Sequence, residues 1–179
     1  FNSRNMANRL VKIIGTEEDK VNCPFYFKIG ACRHGDNCTR THLKPTMSQT
    51  LLLTHMYDNP PAAIALAGGT KLPEEMIKET VRHFEDFYEE VFLEMANFGE
   101  VEDFAVCDNI GDHIIGSAYV KFYDENDAEK AMKSLTGRYY AGKLIMPEYS
   151  PVTNFRDAKC RQYEEGSCSR LFSFYFLNV

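Results

Sequence analysis

Cys23, Cys32, Cys38 and His42 stand in the spacing C-x8-C-x5-C-x3-H. Three thiolates and one imidazole make a complete donor set for a tetrahedral structural zinc ion. The short intervals let one compact loop wrap the ion, and Gly30 and Gly35 permit the sharp turns this requires. The surrounding stretch, NCPFYFKIGACRHGDNCTRTHLKP (22–45), shows neither a period of 2 nor one of 3.6. Apolar burial therefore does not order it, and bound metal must supply the folding free energy. Loss of the metal is expected to unfold this segment and to spare the rest of the chain. Lys20, Lys28, Arg33, Arg40 and Lys44 face only Asp36 over residues 20–44, a net of about +4. Aromatic residues are interleaved with these cations, and aromatic faces and Arg planes hold unstacked RNA bases while Lys and Arg hold phosphates. Some of the aromatics must form the loop's own small core. Phe27 and Ile29 are assigned to that packing, Phe25 and Arg33 to RNA.

The elements around this loop follow from hydrophobic periodicity. From 73 to 97, Met76, Ile77, Val81, Phe84, Phe87, Tyr88, Val91, Phe92 and Met95 form a helical stripe, with Pro73 in the first turn and Gly99 as the stop. Residues 72–103 hold eleven acidic side chains against Lys78 and Arg82, about -9. Strands are predicted over 101–107 and 114–122, joined by a turn containing Asn109 and Gly111. Asp124 caps a second helix whose Ala128, Ala131, Met132 and Leu135 share one face, Gly137 ends it, and 143–149 reads as a further strand. With a first strand expected within 62–72, the order is βαββαβ, an α+β arrangement of the ferredoxin-like or RNA-recognition-motif type.

The chain has 179 residues, room for one medium domain or two small ones. Its net charge of -6 argues against a generic electrostatic nucleic-acid binder. No apolar run approaches the ~20 residues of a membrane span, and no export signal opens the sequence, so no membrane association is expected. The residues FNSRN precede Met6, which reads as the natural start. Clustered cysteines in a reducing compartment favour metal over disulfides, and the isolated Cys107 reads as a small core hydrophobe. No Ser/His/Asp or Cys/His pair is placed for catalysis, and His83 and His113 read as surface or cap residues, so an enzyme is not expected.

The segments CPFYFKIGACRHGDNCTRTH, VCDNIGDHIIGSAYVKF and SPVTNFRDAKCRQYE together resemble the family of U2 auxiliary factor small subunits, splicing factors that read the AG at 3′ splice sites. The resemblance covers nearly all of residues 6–168. It implies a nuclear, non-enzymatic subunit that binds single-stranded pre-mRNA as half of a heterodimer. The implied organisation is an N-terminal extension (1–21), a CCCH zinc finger (22–45), a linker (46–61), a partner-binding RNA-recognition-motif-like domain (62–150) and a second, incomplete CCCH finger (151–179). It places Phe25, Arg33, Thr39 and Arg40 in RNA-contact positions of the first finger, and Phe155, Arg156, Arg161 and Gln162 in those leading into the second.

The third-strand stretch Ile115-Gly116-Ser117-Ala118-Tyr119 lacks the basic residue and first aromatic of an RNA-reading sheet. The central domain is therefore expected to bind protein. Family domains of this kind grip a Trp-bearing basic peptide of a large subunit with helix carboxylates and an Arg-x-Phe loop. Glu90 and Glu94, four apart on one helix face, match the acidic pair, and Arg138-Tyr139-Tyr140 occupies the loop. Tyr140 replaces the Phe, Tyr139 replaces the family's usual Trp, and the chain contains no Trp, which implies a weaker heterodimer.

The family carries two zinc ions, whereas one is expected here. Cys160 and Cys168 remain of the second site, but the positions for its third cysteine and histidine hold Phe174 and Asn178. Neither serves zinc well beside thiolates, unless Cys107 or a histidine from elsewhere completes the set. The apolar ending SRLFSFYFLNV reads as a truncated, misread or diverged carboxy terminus. Two other readings fit the same residues: a CCCH protein of mRNA turnover preferring AU-rich RNA, and a protein-interaction scaffold whose fingers only stabilise the central domain.

Overall fold

The computed structural model describes residues 21–67, 69–107 and 113–155. A short helix α1 (Pro24–Ile29) and a 3-10 turn (Gly35–Asn37) form the finger segment. There follow β1 (Thr50–Leu53), α2 (Pro61–Ala67), α3 (Glu74–Ala96), β2 (Val101–Val106), β3 (Ala118–Phe122) and α4 (Glu125–Leu135). A hairpin of β4 (Tyr139–Tyr140) and β5 (Lys143–Leu144) precedes β6 (Glu148–Tyr149). The main sheet runs β2-β3-β1-β6 with every neighbour antiparallel. This is the α+β arrangement of an RNA recognition motif. None of the described helices is long and apolar enough to cross a membrane.

Period-2 alternation splits the sheet's side chains between two faces. Leu51, Leu53, Phe104, Val106, Ala118, Val120 and Phe122 pack against Phe87, Val91 and Met95 of α3 and Ala128, Ala131 and Leu135 of α4. The opposite face carries Leu52, Ala105, Cys107 and Tyr119, and it too is covered, by Ile29 of α1 together with Val152 and Phe155. Cys107 is fully buried, as its apolar surroundings suggest.

The first strand lies at 50–53, inside the stretch expected to be a linker, and not within 62–72. The folded body thus begins before residue 62. The reason is physical: β1 is central, all four residues are buried, and a fully buried strand of TLLL shows no alternation to read. The stretch after it, PAAIALA, has Pro at its start and strong helix formers behind, and it folds as α2. Residues 114–116 turn rather than pair, so β3 starts at Ala118. The strand expected over 143–149 is divided between β5 and β6, with Pro147, which has no N–H to donate, between them. The long helix matches its predicted span, but only Phe87, Val91 and Met95 are buried, while Met76 and Val81 remain exposed. Asp124 caps α4 by accepting from the Asn126 amide at 2.9 Å.

Candidate functional site

α1 begins at Pro24, whose missing N–H costs nothing in the first helical turn. Cys23, Tyr26 and Ile29, three residues apart, fall on one face of this single turn and a half and are all buried. Tyr26 stacks on the His42 ring with centroids 4.6 Å apart, and burial raises its phenol above the usual range. The chain is closed by Cys23 N–H donating to the Thr41 carbonyl at 2.9 Å. The ligand atoms of Cys23, Cys32, Cys38 and His42 lie within 4.8 Å of one another.

The Cys32 and Cys38 sulfurs are 3.8 Å apart. Two thiolates at about 2.3 Å from a tetrahedral zinc would be separated by nearly that distance. His42 Nε2 is buried and has no hydrogen-bond partner, the state of an imidazole nitrogen whose lone pair is meant for a metal. Burial pushes the Cys32 thiol up to about 11, while the Arg40 amide hydrogen bond lowers Cys38. The four residues are positioned to bind one zinc ion, which clamps the finger and neutralises the clustered thiolates when bound.

Of the residues expected to touch RNA, Arg33, Thr39 and Arg40 are exposed around this centre. Phe25 is half-buried against the finger's own cluster of Cys23, Tyr26 and Cys32. Ile29 is buried as expected, but Tyr26 rather than Phe27 fills the finger core, since Phe27 is only half-buried. The signal for Tyr26 is the spacing Cys23–Tyr26–Ile29, which the run of neighbouring aromatics masks. Lys44 is engaged in an ion pair with Glu148 of β6 at 3.1 Å, which fastens the end of the finger to the sheet edge.

Phe155 departs from expectation. It is 3% exposed and meets the Tyr119 ring edge-on, so it packs on the sheet instead of offering a stacking surface. Arg156, Cys160, Arg161, Gln162, Cys168, Phe174 and Asn178 lie outside the described residues, as do Asn109 and Gly111.

Tyr119, the aromatic expected to remain on the sheet, is fully buried and donates its hydroxyl to the Ile29 carbonyl at 2.5 Å. Gly30 makes this close approach possible. It takes φ 69° at the end of α1, and a Cβ there would run into the Ser150 hydroxyl. Ser150 is held in turn by its N–H to the Thr50 carbonyl at 2.9 Å and by the Ser48 hydroxyl donating to its carbonyl at 2.7 Å.

At the other side of the body, the acidic helix meets the hairpin. Arg138 pairs with Glu94 at 2.5 Å, and the Tyr140 hydroxyl donates to Glu90 at 2.8 Å. The Tyr140 ring meets Phe87 edge-on at 5.9 Å, whereas Tyr139 is 71% exposed. The structure therefore brings Glu90, Glu94, Arg138 and Tyr140 together as the family resemblance implied, with Tyr139 exposed beside them.

Two family models match the chain: "Zinc finger C-x8-C-x5-C-x3-H type (and similar)" over residues 18–44 and "RNA recognition motif" over 84–146. The chain is 52% identical to the splicing factor U2af 38 kDa subunit of Drosophila melanogaster, covering 92% of this chain and 63% of the relative. It is 54% identical to a splicing factor U2af small subunit of Arabidopsis thaliana, over 92% of this chain and 58% of that one. It is 50% identical to the splicing factor U2AF 26 kDa subunit of Homo sapiens, over 92% of this chain and 75% of that one. The chain thus spans about three-fifths of the fly and plant relatives.

Proposed function

Because the chain belongs to the family of U2AF small subunits, whose named members are splicing factors, we propose that it selects the AG of 3′ splice sites in the nucleus. It does so as the non-enzymatic half of a heterodimer with a large subunit. The zinc finger reads single-stranded RNA, with Arg33 and Arg40 on phosphate or base planes, Phe25 stacking and Thr39 tuning the neighbouring base. Arg156, Arg161 and Gln162 are assigned to RNA binding by the family resemblance alone. The acidic helix and hairpin, with Glu90, Glu94, Arg138, Tyr139 and Tyr140, receive a Trp-bearing basic peptide of the large subunit.

One observation carries the RNA assignment. The sheet face on which a recognition motif stacks bases is closed by Ile29, Val152 and Phe155, while Arg33, Thr39 and Arg40 stand exposed around the metal ligands. RNA contact consequently falls to the finger.

Titration of a short AG-containing single strand tests this. Phe25→Ala and Arg40→Ala should each weaken binding by ~1–3 kcal/mol while retaining zinc. Zinc-loaded variants with unaltered affinity would remove the finger from the RNA surface.

A further inference from the structure

Among the four metal ligands, His42 is the one that must be aimed. A thiolate sulfur offers lone pairs over a wide range of directions, whereas an imidazole nitrogen donates along one line in the plane of its ring. The backbone at this position is set by hydrogen bonds. Thr41 N–H donates to the Val21 carbonyl at 2.8 Å, and Cys23 N–H donates to the Thr41 carbonyl at 2.9 Å. Beyond the ligand, Lys44 is paired with Glu148. These contacts place the main chain and leave the ring free to turn about its side-chain bonds, and the buried Nε2 has no hydrogen bond to fix it.

Ligating histidines are ordinarily oriented by a second group behind the metal site. Here the Tyr26 ring stacks on the imidazole, with centroids 4.6 Å apart and planes 10° from parallel. Tyr26 is itself firmly held. It sits in the middle of α1, packs in one cluster with Cys23 and Cys32, and its carbonyl accepts from Gly30 N–H at 2.8 Å. One turn further along, Ile29 is sunk into the covered sheet face. With 8% of its surface exposed, Tyr26 offers no face to a base.

We propose that Tyr26 is a positioning residue for the metal: its ring holds the His42 imidazole in the plane from which Nε2 reaches a zinc ion shared with the three thiolates. A ligand fixed before binding lowers the ordering cost of the complex. Thr39 and Arg40 lie in the three-residue span between Cys38 and His42, so the placement of both follows from that of this ligand.

The test uses the full chain in competition for zinc with a chromophoric chelator. Tyr26→Leu keeps an apolar side chain and removes the ring, so it should weaken zinc binding about tenfold or more. Tyr26→Phe keeps the stack and should stay within about threefold of the unmodified chain. His42→Cys supplies a thiolate, which completes a four-cysteine site with no ring to orient. In that background Tyr26→Leu should cost less than about threefold, a coupling that a purely structural role of Tyr26 would not produce. Equal losses from Tyr26→Leu in the two backgrounds, or unchanged zinc affinity in Tyr26→Leu itself, would overturn the inference. A second measurement needs only the unmodified, zinc-loaded chain, in which nuclear Overhauser contacts between the Tyr26 and His42 ring protons are expected. Their absence would overturn the inference even where a variant fails to fold.

Discussion

The Tyr119 hydroxyl sits 2.5 Å from the Ile29 carbonyl with its ring wholly buried, and burial raises its pKa well above the usual phenol value. A side chain that an RNA-reading sheet would use for stacking is here a joint between finger and sheet. Tyr119→Phe keeps the ring and removes the donor, leaving a buried carbonyl short of a partner. A loss of ~1–3 kcal/mol is expected in urea denaturation with zinc present, and an unshifted midpoint would show that the joint carries no energy. The zinc ligands were legible from sequence because C-x8-C-x5-C-x3-H is a local pattern, in which chain spacing alone confines the donors. The joint was not, because its halves lie 90 residues apart. Phe155 misled for a related reason. The family resemblance placed it among RNA-contact positions, whereas the apolar sheet face 36 residues earlier at Tyr119 buries it.

Among the elements, α3 and α4 were legible because each repeats its apolar residues over several turns, and α4 adds a capping Asp124. β1 was not, since a short run of leucines buried on both sides has no period. The match to the RNA recognition motif model likewise begins only at residue 84, beyond β1. The β4–β5 hairpin turns through Ala141 and Gly142, both at positive φ, 46° and 79°. Such a pair is the geometry of a tight two-residue hairpin, and Ala incurs a steric penalty there that Gly does not. Ala141→Gly should stabilise the protein by about 1 kcal/mol in thermal or urea unfolding, provided that the hairpin melts with the body. The ion pair from Arg138 to Glu94 and the hydrogen bond from Tyr140 to Glu90 make that provision reasonable, because they bind the hairpin to the longest helix. A neutral or destabilising result would mean that the hairpin opens independently.

At the scale of the whole molecule, finger and sheet are packed together, and this contact puts the expectation that metal loss spares the centre to a test. Ile29 fills the sheet face, Gly30 lets the backbone approach, and Lys44 fastens to Glu148. Chelation of zinc should therefore lower the thermal midpoint of the central body by about 5–10 °C, from the loss of one fully buried aliphatic side chain and its adjoining hydrogen bond. An unchanged midpoint would make the finger an independent module. The same docking also bears on the order of biosynthesis. Residue 29 leaves the ribosome 90 residues before Tyr119, so at translation speeds of roughly 5–20 residues per second its carbonyl waits on the order of ten seconds for its partner. A six-residue helix cannot persist alone for that interval. A metal ion bound by Cys23, Cys32, Cys38 and His42 would hold α1 in shape on the nascent chain, as the template on which β3 comes to rest.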